Sequence, residues 1–296
     1  MSVKDREALA ALFNRPAQPE QSVAQQRAGF EALATAFPIT ESYEAAPGSV
    51  GGVTGEWVRG KRVTRSDAAI LYLHGGGYVI GSPKSHRHML GPYSIDSGLP
   101  IFAADYRLAP ENPFPAAVDD AVAAYKGLLD SGLAPSSIAI SGDSAGGGLT
   151  IATLVAARDK GLPMPACAVA ISPWVDLSQG GESFRARAKR DPIVKKDGVD
   201  ILAQHYLGKA DPKTPLASPA YADLKGLPPL LIQVGTEEAL HSDALTLAKR
   251  AEDAGVEVSL ESWGGMVHVW HIFHPILGEG RDAIARAAAF IKRRIP

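Results

Sequence analysis

Residues 137–149, Ser-Ile-Ala-Ile-Ser-Gly-Asp-Ser-Ala-Gly-Gly-Gly-Leu, constrain the fold of this chain more than any other stretch. Ile138, Ala139 and Ile140 read as a buried strand and residues 145–157 as a helix, so the chain must reverse within a few residues. Gly142 and Gly146 flank the apex, where strand and helix pass so closely that side chains would collide. The pentapeptide Gly142-Asp-Ser-Ala-Gly146 fits G-x-S-x-G, a strained turn that holds a serine hydroxyl proud of a sheet with free helix N–H groups behind it. Ser144 is therefore the candidate nucleophile. The plain alternative, an ordinary Gly/Ser turn, has to be weighed against the rest of the chain.

Short apolar runs at 69–73, 100–104, 137–140, 167–171, 230–234 and 256–261 alternate with helical patterns at 83–97, 115–131, 145–160, 242–254 and 281–294. Strands apolar on both faces and separated by helices predict an α/β fold with a mostly parallel central sheet covered on both sides. Residues 1 to about 37 read as helical, from Val23, Phe30, Leu33, Ala34 and Phe37. Residues 39–46 and 52–59 alternate polar and apolar side chains as an antiparallel edge pair, with Pro47-Gly48 between them. From Trp174 to Pro229 no convincing strand occurs, while residues 197–207 read as a helix. That excursion is too long for a plain connection. We expect a single domain over residues 1–296, with a helical cap formed by about 1–38 and about 178–215 over the mouth of the sheet.

Composition narrows the classes further. A net charge of -2 and no basic run longer than Lys292-Arg293-Arg294 leave no electrostatic footprint for nucleic acid or anionic lipid. No apolar stretch approaches the ~20 residues of a membrane span, and the charged N-terminus lacks a signal core, so a cytoplasmic location is expected. The one cysteine, Cys167, rules out an internal disulfide and sits in an apolar strand, where it reads as a core filler.

Residues 71–78, Leu-Tyr-Leu-His-Gly-Gly-Gly-Tyr, follow the first core strand. Consecutive glycines there let backbone N–H groups approach a ligand, as an oxyanion hole requires, whereas phosphate-loop spacings do not fit. A hydroxyl needs a base to become a nucleophile, and on such a sheet the order is Ser, acid, His. His74, His86, His88 and His241 fall at or before the acid, and His205 lies in the expected cap. Of the remaining three, His268 sits in Gly264-Gly-Met-Val-His268, a loop straight after the last core strand, while His271 and His274 read as packing or surface residues. The acid should leave the strand 230–234, in Gly235-Thr-Glu-Glu-Ala-Leu240. Only one of Glu237 and Glu238 can face the histidine, and Asp243 is the runner-up, although its place at a helix start suits capping.

Several motifs together resemble the bacterial hormone-sensitive-lipase-like (family IV) esterases of the α/β-hydrolase fold. They are His74-Gly-Gly-Gly77, Asp105-Tyr-Arg-Leu-Ala-Pro-Glu111 with Phe114-Pro-Ala116, Gly142-Asp-Ser-Ala-Gly-Gly147, Ser172-Pro-Trp174 and the His268 loop, and the resemblance runs from about residue 40 to the C-terminus. It implies Ser144 as nucleophile, His268 as base, and the N–H groups of Gly76, Gly77 and Ala145 as the oxyanion hole. It also implies that His74 shapes its loop and that residues 105–111 are structural. Where the family pattern has Asp-Pro-Leu, this chain has Glu238-Ala239-Leu240, so Glu238 is the matching acid and Asp243 the alternative. The resemblance implies a serine carboxylesterase that forms an acyl-enzyme on short- to medium-chain esters of small molecules, with neither cofactor nor metal. A homodimer is a further expectation, since such proteins often pair. The rival readings are a peptidase or amidase on the same fold and a small-molecule binder without turnover.

Overall fold

The computed structural model describes residues 21–35, 37, 42–189 and 191–295. The helical reading of residues 1–20 and the strand reading of 39–41 lie outside them. Among the described residues the strands are β1 (Tyr43–Val50), β2 (Val53–Gly60), β3 (Ala69–Leu73), β4 (Ile101–Ala104), β5 (Ile138–Asp143), β6 (Cys167–Ile171), β7 (Leu230–Gly235) and β8 (Val258–Trp263). The helices are α1 (Val23–Thr35), α2 (Pro83–Ser97), α3 (Ala116–Asp130), α4 (Ala145–Asp159), α5 (Glu182–Arg187), α6 (Lys196–Leu207), α7 (His241–Asp253) and α8 (Gly278–Lys292).

The strands form one sheet in the order β1-β2-β4-β3-β5-β6-β7-β8. β2 runs antiparallel to both neighbours, and every pairing from β4 to β8 is parallel. The parallel part is the one that the continuous apolar runs predict. Side chains alternate across it as a strand requires. In β3, Leu71 and Leu73 join the core beneath α3 and α4, whereas Ile70 and Tyr72 join the core beneath α2 and α8. Each fully buried Leu or Ile contributes roughly 1.5–3 kcal/mol, so the doubly covered centre is the stable platform of the molecule. Cys167 is unpaired and buried in the second core, where burial pushes its thiol up to about 12.

The edge hairpin differs from its sequence reading. Its turn is Gly51-Gly52, with φ +61° and +81°, and Pro47 pairs with Glu56 inside β1. Two positive-φ residues match the right-handed twist of a hairpin, which Pro-Gly in the same place would not. Proline is tolerated because β1 is the edge strand, where an N–H can be missing without breaking a ladder.

Strand order places the site. The chain leaves β3 for β4 on one side and then crosses to β5 on the other, so the order reverses between β3 and β5. A crevice opens beyond the carboxyl ends of two strands at such a reversal. The loop 74–77 and Ser144 both emerge there. Between β6 and β7 the described residues hold α5 and α6 and no strand. No helix among the described residues is long and apolar enough to cross a membrane.

Candidate active site

Ser144 has φ 54° and ψ -121°, a conformation costly for a residue with a side chain. Its surroundings hold it there. Its N–H donates to Ile171 O at 2.8 Å, and its carbonyl accepts from Gly148 N at 3.1 Å and Trp174 N at 3.0 Å. A Cβ at Gly142 would come within 2.3 Å of Gly146 O, and one at Gly146 within 1.9 Å of Leu73 O. These clashes are with backbone, which cannot swing aside. The two glycines are therefore sterically required.

Three side chains from separate loops meet at the apex. His268 Nε2 lies 2.8 Å from Ser144 Oγ, and His268 Nδ1 lies 2.9 Å from Glu238 Oε2. A carboxylate only accepts, so Nδ1 carries the proton and Nε2 accepts from the serine hydroxyl. Burial alone would lower the His268 pKa, but the hydrogen bond and negative charge of Glu238 raise it above the ordinary histidine value. Burial likewise pushes the Glu238 carboxyl up against the opposing pull of His268. The second oxygen of Glu238 accepts from the Ser172 hydroxyl at 2.8 Å and from Gly235 N–H.

The other acid candidates are elsewhere. Glu237 points to solvent. Asp243 is buried and accepts from Val175 N and Asp176 N at 3.0 Å each, which ties the start of α7 to the chain beyond β6. Burial raises its carboxyl to about 7. His271 Nε2 donates to Gln233 Oε1, 2.9 Å away, and His274 Nε2 lies 2.9 Å from His88 O. Both are buried packing residues, not surface ones.

The loop beyond β3 passes over Ser144. Gly76 and Gly77 have φ +117° and +62°, and a Cβ at Gly76 would lie 2.1 Å from Ile80 O. Ala145 opens α4, so its N–H is one of the free donors of a helix start. His74 stacks on Tyr106 at 4.3 Å, its Nδ1 lies 2.8 Å from Gly75 O, and burial lowers its pKa to about 3. A histidine so placed stays neutral and braces the loop. Tyr106 donates to His74 O at 2.6 Å, and Glu111 pairs with Arg27 of α1, so residues 105–111 support the loop and its surroundings.

Asp143 has a role that the sequence reading missed. Oδ1 of this carboxylate accepts from Tyr72 OH at 2.7 Å and Gly75 N at 3.0 Å, and lies 3.4 Å from His86 Nε2. Burial opposes its charge, yet His86 and Tyr72 outweigh burial and hold it at about 2. One buried anion therefore joins the serine turn to the glycine loop. Its place between Gly142 and Ser144 was the available signal. Ser172 was visible only as part of Ser172-Pro-Trp174, and nothing local marked His86.

A cavity of about 310 Å³ opens over Ser144, and Gly76, Gly77 and His268 line it too. Phe30 of α1, Val199 and Leu202 of α6, and Ile193 and Val194 before α6 form much of its apolar wall. Such a space suits an uncharged acyl group with its carbonyl beside the serine. Among the described residues no group of three or more His, Cys, Asp or Glu side chains is placed to hold a metal ion.

The chain is similar over most of its length to known proteins. A family model described as the alpha/beta hydrolase fold matches residues 70–272. An acetyl-hydrolase of Streptomyces hygroscopicus is 51% identical over 82% of this chain and 81% of its own length. An esterase of Acinetobacter venetianus is 31% identical over 95% of this chain and 93% of its own. The crystal structure of an esterase from the bacterial hormone-sensitive lipase family superposes with a TM-score of 0.96 at 47% identity, covering 100% of this chain and 99% of that one.

Proposed function

This chain belongs to the bacterial hormone-sensitive-lipase-like family of α/β hydrolases and is a carboxylic ester hydrolase, and from that premise we propose that Ser144, His268 and Glu238 are its catalytic triad. The observation that carries the reading is the unbroken chain of hydrogen bonds from Ser144 Oγ through both nitrogens of His268 to Glu238. His268 takes the hydroxyl proton as Ser144 attacks the ester carbonyl. The N–H groups of Gly76, Gly77 and Ala145 receive the oxygen that becomes negative, worth about 3–4 kcal/mol per donor in comparable sites. The imidazolium returns its proton to the departing alcohol, leaving an acyl-serine. Water then attacks by the same steps, and the carboxylic acid leaves. Glu238 orients the imidazole and offsets its charge without itself taking the proton.

The substrate class is short- to medium-chain esters of small molecules. A largely apolar cavity of only about 310 Å³ supports that limit, and the Streptomyces relative is an acetyl-hydrolase. In this reading α1, α5 and α6 belong to a cap that closes the cavity, the wall residues Phe30, Val199 and Leu202 being its inner surface.

The test is hydrolysis of p-nitrophenyl esters from acetate to palmitate beside Ser144→Ala. Activity that peaks at short chains and disappears in the variant is the expected result. A wild type inert on every ester, yet active on an anilide or binding a small ligand without turnover, would replace the esterase reading by the amidase or binder one.

A further inference from the structure

Asp191 lies between α5 and α6, 1% exposed, and its two oxygens face in different directions. Oδ1 accepts from Ile193 N at 2.9 Å and Val194 N at 3.0 Å, fixing two residues of the cavity wall. Oδ2 accepts from Ala239 N at 2.8 Å. Ala239 directly follows Glu238 and is wholly buried. Its carbonyl is taken by the same segment, since Ser183 of α5 donates to Ala239 O at 2.6 Å while accepting from Ser242 N at 2.7 Å. The residue after the acid is thus gripped at both its N–H and its C=O by the excursion between β6 and β7. In an Asp-Pro-Leu version of this stretch, the first of these bonds would have no donor, because proline lacks an N–H.

We propose that Asp191 is a positioning residue for the reaction, which sets the Glu238 carboxylate through the Ala239 peptide and thereby makes seating of the cavity wall and orientation of the acid a single event. The inference rests on the esterase reading of Glu238. A buried carboxylate is costly unless its oxygens are bonded, and here three N–H donors satisfy it. Disturbing the wall therefore disturbs the acid. The negative charge of Asp191 also acts on His268, which faces Glu238 from the loop after β7, Asp143 from the serine turn and His271 downstream.

The experiment compares Asp191→Asn, Ala239→Pro and the double variant on p-nitrophenyl acetate and butyrate, with kcat/KM followed against pH. Asparagine keeps an acceptor for Ile193 and Val194 but turns an amide donor toward the Ala239 N–H and removes the charge. We expect kcat to fall on the order of tenfold or more with KM nearly unchanged, because the lost function is orientation. The acid limb of kcat/KM should move to lower pH, since His268 loses a nearby anion. Ala239→Pro breaks the same bond and keeps the charge, so kcat falls while the limb moves less. In the double variant the losses should not multiply, since both remove one interaction. Wild-type kcat in either single variant, or losses that multiply, would overturn the proposal. Should Asp191→Asn not fold, kcat of Ala239→Pro alone decides. An active wild type with an inactive Glu238→Gln and fully active Asp191 and Ala239 variants would sink this inference and leave the esterase reading standing.

Discussion

The hydroxyl of Ser172 lies 2.8 Å from Oε1 of Glu238 and donates to it, while Ser172 Oγ itself accepts from Val269 N at 3.1 Å. Val269 is the neighbour of His268. Ser172 therefore ties the acid to the histidine loop from below, and its own φ of 45° shows how tightly that corner is drawn. Ser172→Ala would leave a buried N–H without an acceptor and the carboxylate with one donor fewer. Stability should fall by about 1–3 kcal/mol in urea unfolding, and kcat by roughly tenfold. A variant as stable and as active as the wild type would remove Ser172 from the site's support.

A methyl group in the glycine loop should do more damage at Gly76 than at Gly77, although both have positive φ. At Gly76 a Cβ meets Ile80 O at 2.1 Å, and φ is +117°, which L-residues scarcely adopt. At Gly77 it meets Leu202 Cδ1 at 2.5 Å, the end of a flexible side chain. Gly76→Ala should cost about 10²–10³ in kcat by displacing a donor. Gly77→Ala should cost less, and Leu202→Ala should restore part of that loss. Equal damage at both glycines, without rescue, would contradict this account of the loop.

The pH profile follows from His268. As the proposed base it must be neutral, and Glu238 raises its pKa against burial. The rate kcat/KM should therefore climb with pH through a value above that of an ordinary histidine. In Glu238→Gln the anionic partner is gone, so the acid limb should shift to lower pH while kcat falls a thousandfold or more, on the order seen when triad acids are amidated. A limb that stays in place would mean that another group sets it.

Stability against acid has a separate source. His271 is buried with its pKa lowered to about 3, so the folded protein keeps it neutral where the unfolded chain is protonated. Its contribution is complete above the ordinary histidine pKa of about 6.5 and drains away as pH falls toward 3. Asp243, raised to about 7, works in the opposite direction between its unfolded value and 7, so the difference between proteins is the useful quantity. His271→Gln keeps a donor for Gln233 but cannot titrate. Its unfolding free energy between pH 6 and 4 should lose about 1.4 kcal/mol less per pH unit than the wild type's. Parallel curves would show that His271 takes no part.

Much of this protein was legible in its sequence because the causes are local. The turn at Ser144 needs Gly142 and Gly146 for clearance from Gly146 O and Leu73 O, and that need is written within five residues. The doubly apolar runs from 69 to 234 follow from burial on both faces of a parallel sheet. The edge turn was misplaced because Pro47-Gly48 is the more conspicuous breaker, whereas Gly51-Gly52 has the backbone freedom that the hairpin uses.

By itself, the sequence determined the class of sheet, the serine at its switch point and the histidine that reaches it by chain order. Only the tertiary structure decided which carboxylate that histidine meets. Glu237, Glu238 and Asp243 lie within one short stretch, and their order along the chain does not say which way each side chain turns. The turn after β7 sends Glu237 to solvent, Glu238 inward to His268, and Asp243 to the backbone of Val175 and Asp176. The same holds for Asp143 with Gly75, for Ser172 with Glu238, and for Asp191 with Ala239, pairs separated by 68, 66 and 48 residues. Sterics and periodicity act between neighbours along the chain, whereas these bonds exist only because packing carries distant segments to within 3 Å of one another.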